Sequence, residues 1–99
     1  MKVLFLEIAE KEFYDSEEYY EEQQTNLGDK FKSEVYNALK RIQKFPNMFV
    51  KVKKDIRKCI INKFPFNILY SIEGDSILVI AIAHHHRNPD YWIDRIKIN

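Results

Sequence analysis

The sequence has a single cysteine, Cys59, and no long hydrophobic run. One cysteine excludes an intramolecular disulfide, which fits a protein of the reducing cytoplasm. The apolar run that begins at Met1 ends at Glu7, too early for a signal peptide, and no apolar stretch is long enough to cross a bilayer. The sequence therefore predicts a cytoplasmic protein that is not associated with a membrane.

Repeats, linkers and low-complexity segments are also missing from the 99 residues. Hydrophobic residues make up 45% of the chain and aromatic residues 14%, a composition that disordered segments do not have. A chain of this length can bury one small core. We therefore expect a single domain over residues 1–99.

The net charge of +1 conceals a division between the two parts of the chain. Residues 1–40 contain five Lys and Arg against ten Asp and Glu, whereas residues 41–99 contain eleven against five. This asymmetry is typical of a basic working face with an acidic back, although charged runs are also common on ordinary solvated surfaces. A polyanionic target for the basic part is one of the two interpretations.

The first part of the chain predicts a strand followed by two helices. The apolar run Lys2–Ile8 predicts the strand, and helical spacing of apolar residues begins at Ala9. The interruption at residues 25–28 separates a second helix, with Asn26 as candidate N-cap, and Pro46 ends that helix because proline cannot continue it. The apolar stripe of the second helix consists of Leu27, Phe31, Val35, Leu39 and Ile42.

After Pro46 the pattern changes to strands, at residues 50–53, 56–64, 67–73 and 77–83. The last of these is apolar on both faces, which predicts the most buried, central strand. Asn88-Pro89-Asp90 predicts the start of a short terminal helix or turn. The predicted fold is α+β, a twisted antiparallel sheet with the N-terminal helical hairpin packed on one face, in the order β-α-α-β-β-β-β-α.

Several short segments together resemble a known family. They are Tyr19-Tyr20-Glu21, Leu27-Gly28 with Phe31, Phe64-Pro65-Phe66 with Tyr70, and Arg87-Asn88-Pro89-Asp90-Tyr91-Trp92. In their order and spacing the chain resembles the RelE/ParE superfamily, the toxins of type II toxin–antitoxin pairs, over nearly its whole length. The resemblance implies a RelE/ParE-like toxin domain over residues 1–99 and a cognate antitoxin whose flexible tail folds across it.

A cluster of cations follows Pro46 and is a candidate site for binding phosphate or the target. Side chains repeat every two residues along a strand, so Lys51 and Lys53 share one face, and Arg57 and Lys63 share one face of the next strand. Such a cluster can hold a phosphate backbone, but lysines on outer strands also discourage edge pairing. The cluster consists of Lys51, Lys53, Lys54, Arg57, Lys58 and Lys63.

Three histidines follow the apolar strand. Alternation places His84 and His86 on one face, and His85 with Arg87 on the other. Because histidine titrates near neutral pH, His85 is a candidate general acid or base, although three in a row also suits a tolerant strand end. No patterned spacing of Cys and His is present, so we expect no metal, and no motif predicts a cofactor.

Arg87 and Tyr91 are the remaining catalytic candidates if the protein is a nuclease. The resemblance implies that an arginine after the last core strand and a nearby C-terminal aromatic residue serve RNA cleavage in the RelE branch. The continuation through Trp92 to Arg95 is more similar to the ParE branch, where that set is generally incomplete. For Trp92 we favour a structural role, the attachment of the terminal segment to the sheet.

Other conspicuous residues are interpreted as structural. Tyr14, Tyr19 and Tyr20 lie at helical spacing, which is more typical of a core face than of a binding stripe. Cys59 lies within an apolar strand and is expected to be a small buried hydrophobe.

The resemblance narrows function to two mechanisms. We favour a growth-arresting toxin that inhibits DNA gyrase in the ParE manner, neutralised by its antitoxin. The alternatives are a metal-independent endoribonuclease that cleaves mRNA on the ribosome, and a decayed member that only binds its antitoxin.

Overall fold

The computed structural model describes residues 1–96, which form two helices on one face of a five-stranded sheet. The predicted order of strands and helices is confirmed. The elements are β1 (Lys2–Phe5), α1 (Glu7–Gln23), α2 (Leu27–Lys44), β2 (Lys51–Lys53), β3 (Ile56–Ile60), β4 (Phe66–Glu73), β5 (Ser76–His84) and a single 3-10 turn (Ile93–Ile96).

The first strand is shorter than predicted, because α1 begins at Glu7 rather than Ala9. Leu6 is the last extended residue, and its N–H donates to the Val79 carbonyl of β5. Its own carbonyl already accepts the first helical hydrogen bond from Glu10. Ile8, which the apolar run suggested was in the strand, therefore lies in the first helical turn.

The start of α2 is capped by the preceding helix. Asn26 adopts a left-handed conformation, with φ of 73°, and its side chain makes no capping hydrogen bond. The Glu21 carboxylate instead accepts the N–H groups of Asn26 and Gly28, each at 3.0 Å. These N–H groups have no helical partner of their own, so a carboxylate from α1 satisfies them. The helix ends at Lys44, as Pro46 predicts.

The sheet has the strand order β1-β5-β4-β3-β2 and is mixed. The neighbours from β2 to β5 pair antiparallel, as expected of consecutive hairpins. At the far edge β1 instead pairs parallel with β5, with Lys2 beside Ser76. Parallel neighbours need a long connection, and here the helical hairpin and the three following strands provide it.

A β-bulge interrupts the pairing of β4 with β5. Leu69 pairs with Ala81 and Tyr70 with Val79, which leaves Ile80 as the extra residue. As a result, Ile80 and Ala81 both belong to the apolar cluster on the side away from the helices.

The main core lies between the helices and the sheet. The apolar stripe predicted for α2 is buried from Phe31 to Ile42, with Leu27 partly exposed. Cys59 is 1% exposed, which confirms it as a buried hydrophobe. The stripe packs on helix-facing side chains of the sheet, chiefly Ile68, Tyr70, Ile77 and Val79.

A smaller core lies on the opposite face of the sheet. Trp92 is 2% exposed and packs in the same cluster as Ile56, Leu69 and Ile80. The structural role expected of Trp92 is confirmed, because it fastens the terminal segment, residues 85–96, across this face. As predicted, β5 is buried on both faces and is not an edge strand. The middle strand of the five is β4 rather than β5.

Two sequence interpretations of side-chain position were wrong. Tyr14 and Tyr19 are each 56% exposed rather than core residues, and only Tyr20 packs inward, against Phe31. Lys63 does not share a strand face with Arg57, because β3 ends at Ile60 and the chain turns there. Within residues 1–96, no helix combines the length and apolar character needed to cross a bilayer.

Candidate functional site

A cavity of about 280 Å³ lies on the face of the sheet away from the helices, beside the end of β5. Leu69 and Ala83 contribute apolar side chains, and Lys58 and Asn67 contribute polar ones. Residues 87–92 of the terminal segment form one wall. The structure therefore brings the predicted residues His85, Arg87 and Tyr91 to one cavity.

Arg87 is exposed and borders this cavity. Its guanidinium carbon lies 3.8 Å from the centre of the Tyr91 ring, a cation–π contact. Asp90 and Asp94 are the carboxylates nearest to Arg87 in sequence. Among residues 1–96 Arg87 forms no ion pair, and Asp90 instead pairs with Lys53 at 3.1 Å.

Tyr91 is held from three sides. Its hydroxyl donates to Glu12 Oε2 at 2.8 Å, and Arg87 and Arg95 both lie against its ring. Burial raises the pKa of Tyr91 well above its usual value, and the hydrogen bond to Glu12 raises it further. The phenol is therefore fixed in its protonated form at neutral pH.

Glu12 is the centre of this arrangement, and the sequence interpretation missed it. Its carboxylate accepts hydrogen bonds from the Tyr91 hydroxyl, from both terminal nitrogens of Arg95, and from the Ile82 N–H of β5. Arg95 also donates to the Ile80 carbonyl at 3.1 Å. Together Glu12 and Arg95 satisfy backbone groups of β5 at the point where β1 has ended.

One sequence signal could have identified Glu12. It lies three residues after Ala9 and four before Ser16, so it falls on the inward stripe of α1 rather than on the acidic outer face. A carboxylate on an inward stripe needs a buried partner, and a cation near the C-terminus was available. Nothing local in the sequence indicated which cation.

Strand alternation does not determine the directions of the His85 and His86 side chains, because β5 ends at His84. The His85 ring nitrogen Nε2 lies 3.2 Å from Asn67 Oδ1. The His86 N–H donates to His84 Nδ1, which leaves His84 Nε2 as the protonated nitrogen in the neutral ring. Burial lowers the pKa of His84, and the neighbouring histidines lower it further.

The predicted basic cluster is dispersed. Arg57 is committed to the backbone carbonyls of Asn47 and Phe49, and Lys63 pairs with Glu34 on the helix side. Lys54 occupies the β2–β3 turn with φ of 51°. Lys51 pairs with Asp55 and Lys53 with Asp90, both at exposed positions where ion pairs contribute little.

Lys58 is the cation of the cluster that lines the cavity, together with Arg87 and His85. The sequence interpretation missed Asn67, although, like Lys58, it lies on the cavity face of its strand. Within the part of the chain that the structure describes, no three His, Cys, Asp or Glu side chains are grouped as a metal site would require.

Comparisons with known proteins show the family and agree with the fold. The family model described as the ParE toxin of type II toxin–antitoxin systems, parDE, matches residues 3–89. The fold is similar to a chain of the solved structure titled "Chromosomal ParDE TA system from P. aeruginosa", with a TM-score of 0.68 and 14% identity over 85% of this chain and 95% of that one. No curated protein matches the sequence. Since the family model covers most of its length, the chain belongs to the ParE toxin family of type II toxin–antitoxin systems.

Proposed function

We propose that this toxin arrests growth by binding DNA gyrase in the cytoplasm and blocking it. Membership of the family implies an antitoxin as its partner. The ParE-like sequence from Asn88 to Trp92 supports gyrase over the ribosome as the target.

The observation that carries the proposal is the commitment of Tyr91. A nuclease of this superfamily needs side chains that exchange a proton with the 2′-hydroxyl or the 5′-oxygen of RNA. The Tyr91 hydroxyl donates its proton to Glu12, and Arg87 lies on its ring. Because the hydroxyl is committed to Glu12 and the ring is in contact with Arg87 and Arg95, Tyr91 supports the wall of the cavity rather than the chemistry.

The surface around the cavity is basic, as expected for binding to gyrase in complex with DNA. Lys58, His85 and Arg87 are presented together, and Lys54 lies exposed in the neighbouring turn. Cations on one face steer association with a polyanionic complex and increase the on-rate. Arg87 is the best candidate for a central contact, because its stacking on Tyr91 orders the side chain before binding.

Ribosome-dependent mRNA cleavage is the second candidate, and one arrangement favours it. His85 contacts Asn67, and the same cavity holds Lys58 and Arg87. An imidazole with two cations could exchange a proton and offset charge on a phosphorane without Tyr91.

The test is a parallel assay of the purified chain in gyrase supercoiling and in mRNA cleavage on purified ribosomes. We expect inhibition of supercoiling and intact mRNA. Arg87→Ala should raise the concentration for half-inhibition at least about tenfold, the effect of losing one central arginine. Lys40→Ala, an exposed change on α2, is the matched control.

Cleaved mRNA with normal supercoiling would overturn the proposal in favour of the nuclease. Inactivity in both assays, with antitoxin binding retained, would indicate a member that only pairs with its antitoxin.

A further inference from the structure

A second concave surface lies between α1 and the outer edge of β5. We call it the α1–β5 groove. It has a volume of about 400 Å³ and continues into a hollow of about 220 Å³ that borders Ile82 and Arg87. The groove is lined by Asp15, Ser16, Tyr19, Tyr20, Phe66 and His84.

Aromatic rings form most of this groove. The ring centres of Tyr19 and Tyr20 are 5.3 Å apart, those of Tyr20 and Phe66 6.2 Å, and those of Phe66 and His84 5.0 Å. Tyr19 is 56% exposed even though it is a large aromatic residue at the mouth of a groove. Neighbouring aromatic faces attract a cation, and Arg and Lys are the cations that proteins present.

The charge of the groove also favours a cation. Asp15 lies at its mouth, and its ion pair with Lys11 is an exposed pair on one helix, of the kind that contributes little. An incoming cation can therefore displace Lys11 from Asp15 at little cost in free energy. Residues 1–40, which include α1, carry twice as many acidic as basic residues, so a phosphate or nucleic acid would be repelled here.

The backbone of β5 provides a second, independent feature. β1 pairs with β5 only as far as Val79, and no other strand within residues 1–96 lies on that side. The Ile82 N–H points outward to Glu12. Along a strand, the backbone groups of every second residue point to the same side. The Ile82 carbonyl and the His84 N–H therefore also point away from β4, beside the groove.

One residue of a parallel strand could bond both of these groups. In a parallel ladder a residue donates to one carbonyl and accepts from the N–H two residues further on. β1 already approaches β5 in this orientation, with the Leu6 N–H on the Val79 carbonyl. The bridging residue would lie beside Ala83, whose side chain faces away from the helices. The side chains of the residues before and after the bridging residue would therefore face α1 and Asp15.

We infer that the α1–β5 groove binds an extended segment of a partner protein, parallel to β5 and in line with β1. The segment places an arginine or lysine side chain between the aromatic rings and Asp15. This inference does not depend on gyrase being the target of the toxin.

The probe is the blocked peptide acetyl-Thr-Arg-Val-Thr-amide, titrated into the full chain and followed by amide chemical shifts. We expect a dissociation constant of roughly millimolar, as for a short peptide on one edge, with the largest shift at His84. Replacing the peptide's Arg by Glu should weaken binding more than about tenfold, since it exchanges attraction for repulsion beside Asp15. Methylating the Val nitrogen should weaken it similarly, because that removes the backbone donor.

Matched variants of the protein separate the groove from the rest of α1. Tyr19→Ala should weaken peptide binding about threefold to fivefold, whereas Tyr14→Ala, at an equally exposed tyrosine outside the groove, should not. Asp15→Asn should weaken binding to a similar extent, and Glu18→Gln should leave it unchanged. Thermal unfolding of each variant confirms that the fold is retained.

Three outcomes would overturn the inference. The first is that no peptide binds, and the second is that the Arg and Glu peptides bind equally. The third is that the free chain dimerises and Asp15→Asn makes it monomeric, which would assign the groove to a second copy.

Discussion

The Glu12 carboxylate and the Arg95 guanidinium, 83 residues apart in sequence, form a two-pronged ion pair with both N···O distances at 2.8 Å. The side chains are only 16% and 12% exposed, so water screens them little. The pair joins the first helix to the terminal segment around the edge of β5. The first two stability predictions concern this pair and the Tyr91 hydroxyl bonded to it.

Glu12→Gln should destabilise the fold by about 2–4 kcal/mol, because it leaves the Arg95 charge shielded from water without its partner. Denaturant unfolding measures this. Glu22→Gln, at an exposed position of the same helix, should change stability by less than about 0.5 kcal/mol. Equal effects of the two changes would show that the ion pair is not a major stabilising contact.

Tyr91→Phe removes the hydroxyl that donates to Glu12 and keeps the ring on which Arg87 stacks. We expect a loss of about 1–2 kcal/mol in unfolding free energy, typical of a hydrogen bond to a charged group, and undiminished growth arrest in cells. Abolished growth arrest with unchanged folding would assign the hydroxyl a chemical role and contradict the proposed function.

Stability should fall above about pH 10 because of Tyr70. Its hydroxyl donates to the Pro46 carbonyl at 2.7 Å, and burial raises the pKa of Tyr70 to about 12. The unfolded phenol titrates near pH 10, so the stabilising contribution is complete below that pH and is lost as pH rises through about 12. Tyr70→Phe should make this decline shallower without removing it, because Tyr91, whose pKa is also raised, contributes as well; urea unfolding from pH 8 to 12 measures the difference. An identical alkaline decline in both proteins would rule out this cause.

Gly28→Ala should destabilise the helical hairpin, since a Cβ at this position would lie 2.7 Å from the Glu17 carbonyl oxygen. Separating the helices to relieve the contact should cost about 1–3 kcal/mol, measured by thermal unfolding. The control is Gly74→Asn, where φ is +59°, a value that asparagine tolerates, and no atom lies within 4 Å of the added Cβ. Similar losses at both glycines would show that helix contact is not the reason for Gly28.

Periodicity predicted the parts of the fold that depend on local pattern. The α2 stripe from Phe31 to Ile42, the break before Pro46 and the apolar β5 each depend on residues a few positions apart. The parallel pairing of β1 depends on a neighbour 74 residues away, between Lys2 and Ser76, which no local pattern specifies.

The sequence predicted part of the candidate site, but it missed Glu12 and Asn67 and most of the contacts. Arg87, Tyr91 and His85 meet at one cavity, as their closeness in sequence suggested. The bulge at Ile80 and the turn after Ile60 are set by tertiary pairing, and the turn moved Lys63 away from the strand face on which alternation placed it. Tyr14 and Tyr19 show the converse limit, because helical spacing does not reveal how wide the buried stripe is.

The ion pair of Glu12 with Arg95 also constrains when the protein can become toxic. At about 5–20 residues per second, a ribosome makes Arg95 roughly 4–17 s after Glu12. β1 has no neighbour before residues 76–79 are made, and the cavity has no wall before residues 87–92 are made, so the chain cannot complete its fold during most of its own synthesis. A nascent toxin is therefore inactive for several seconds, an interval in which antitoxin already present can reach it first.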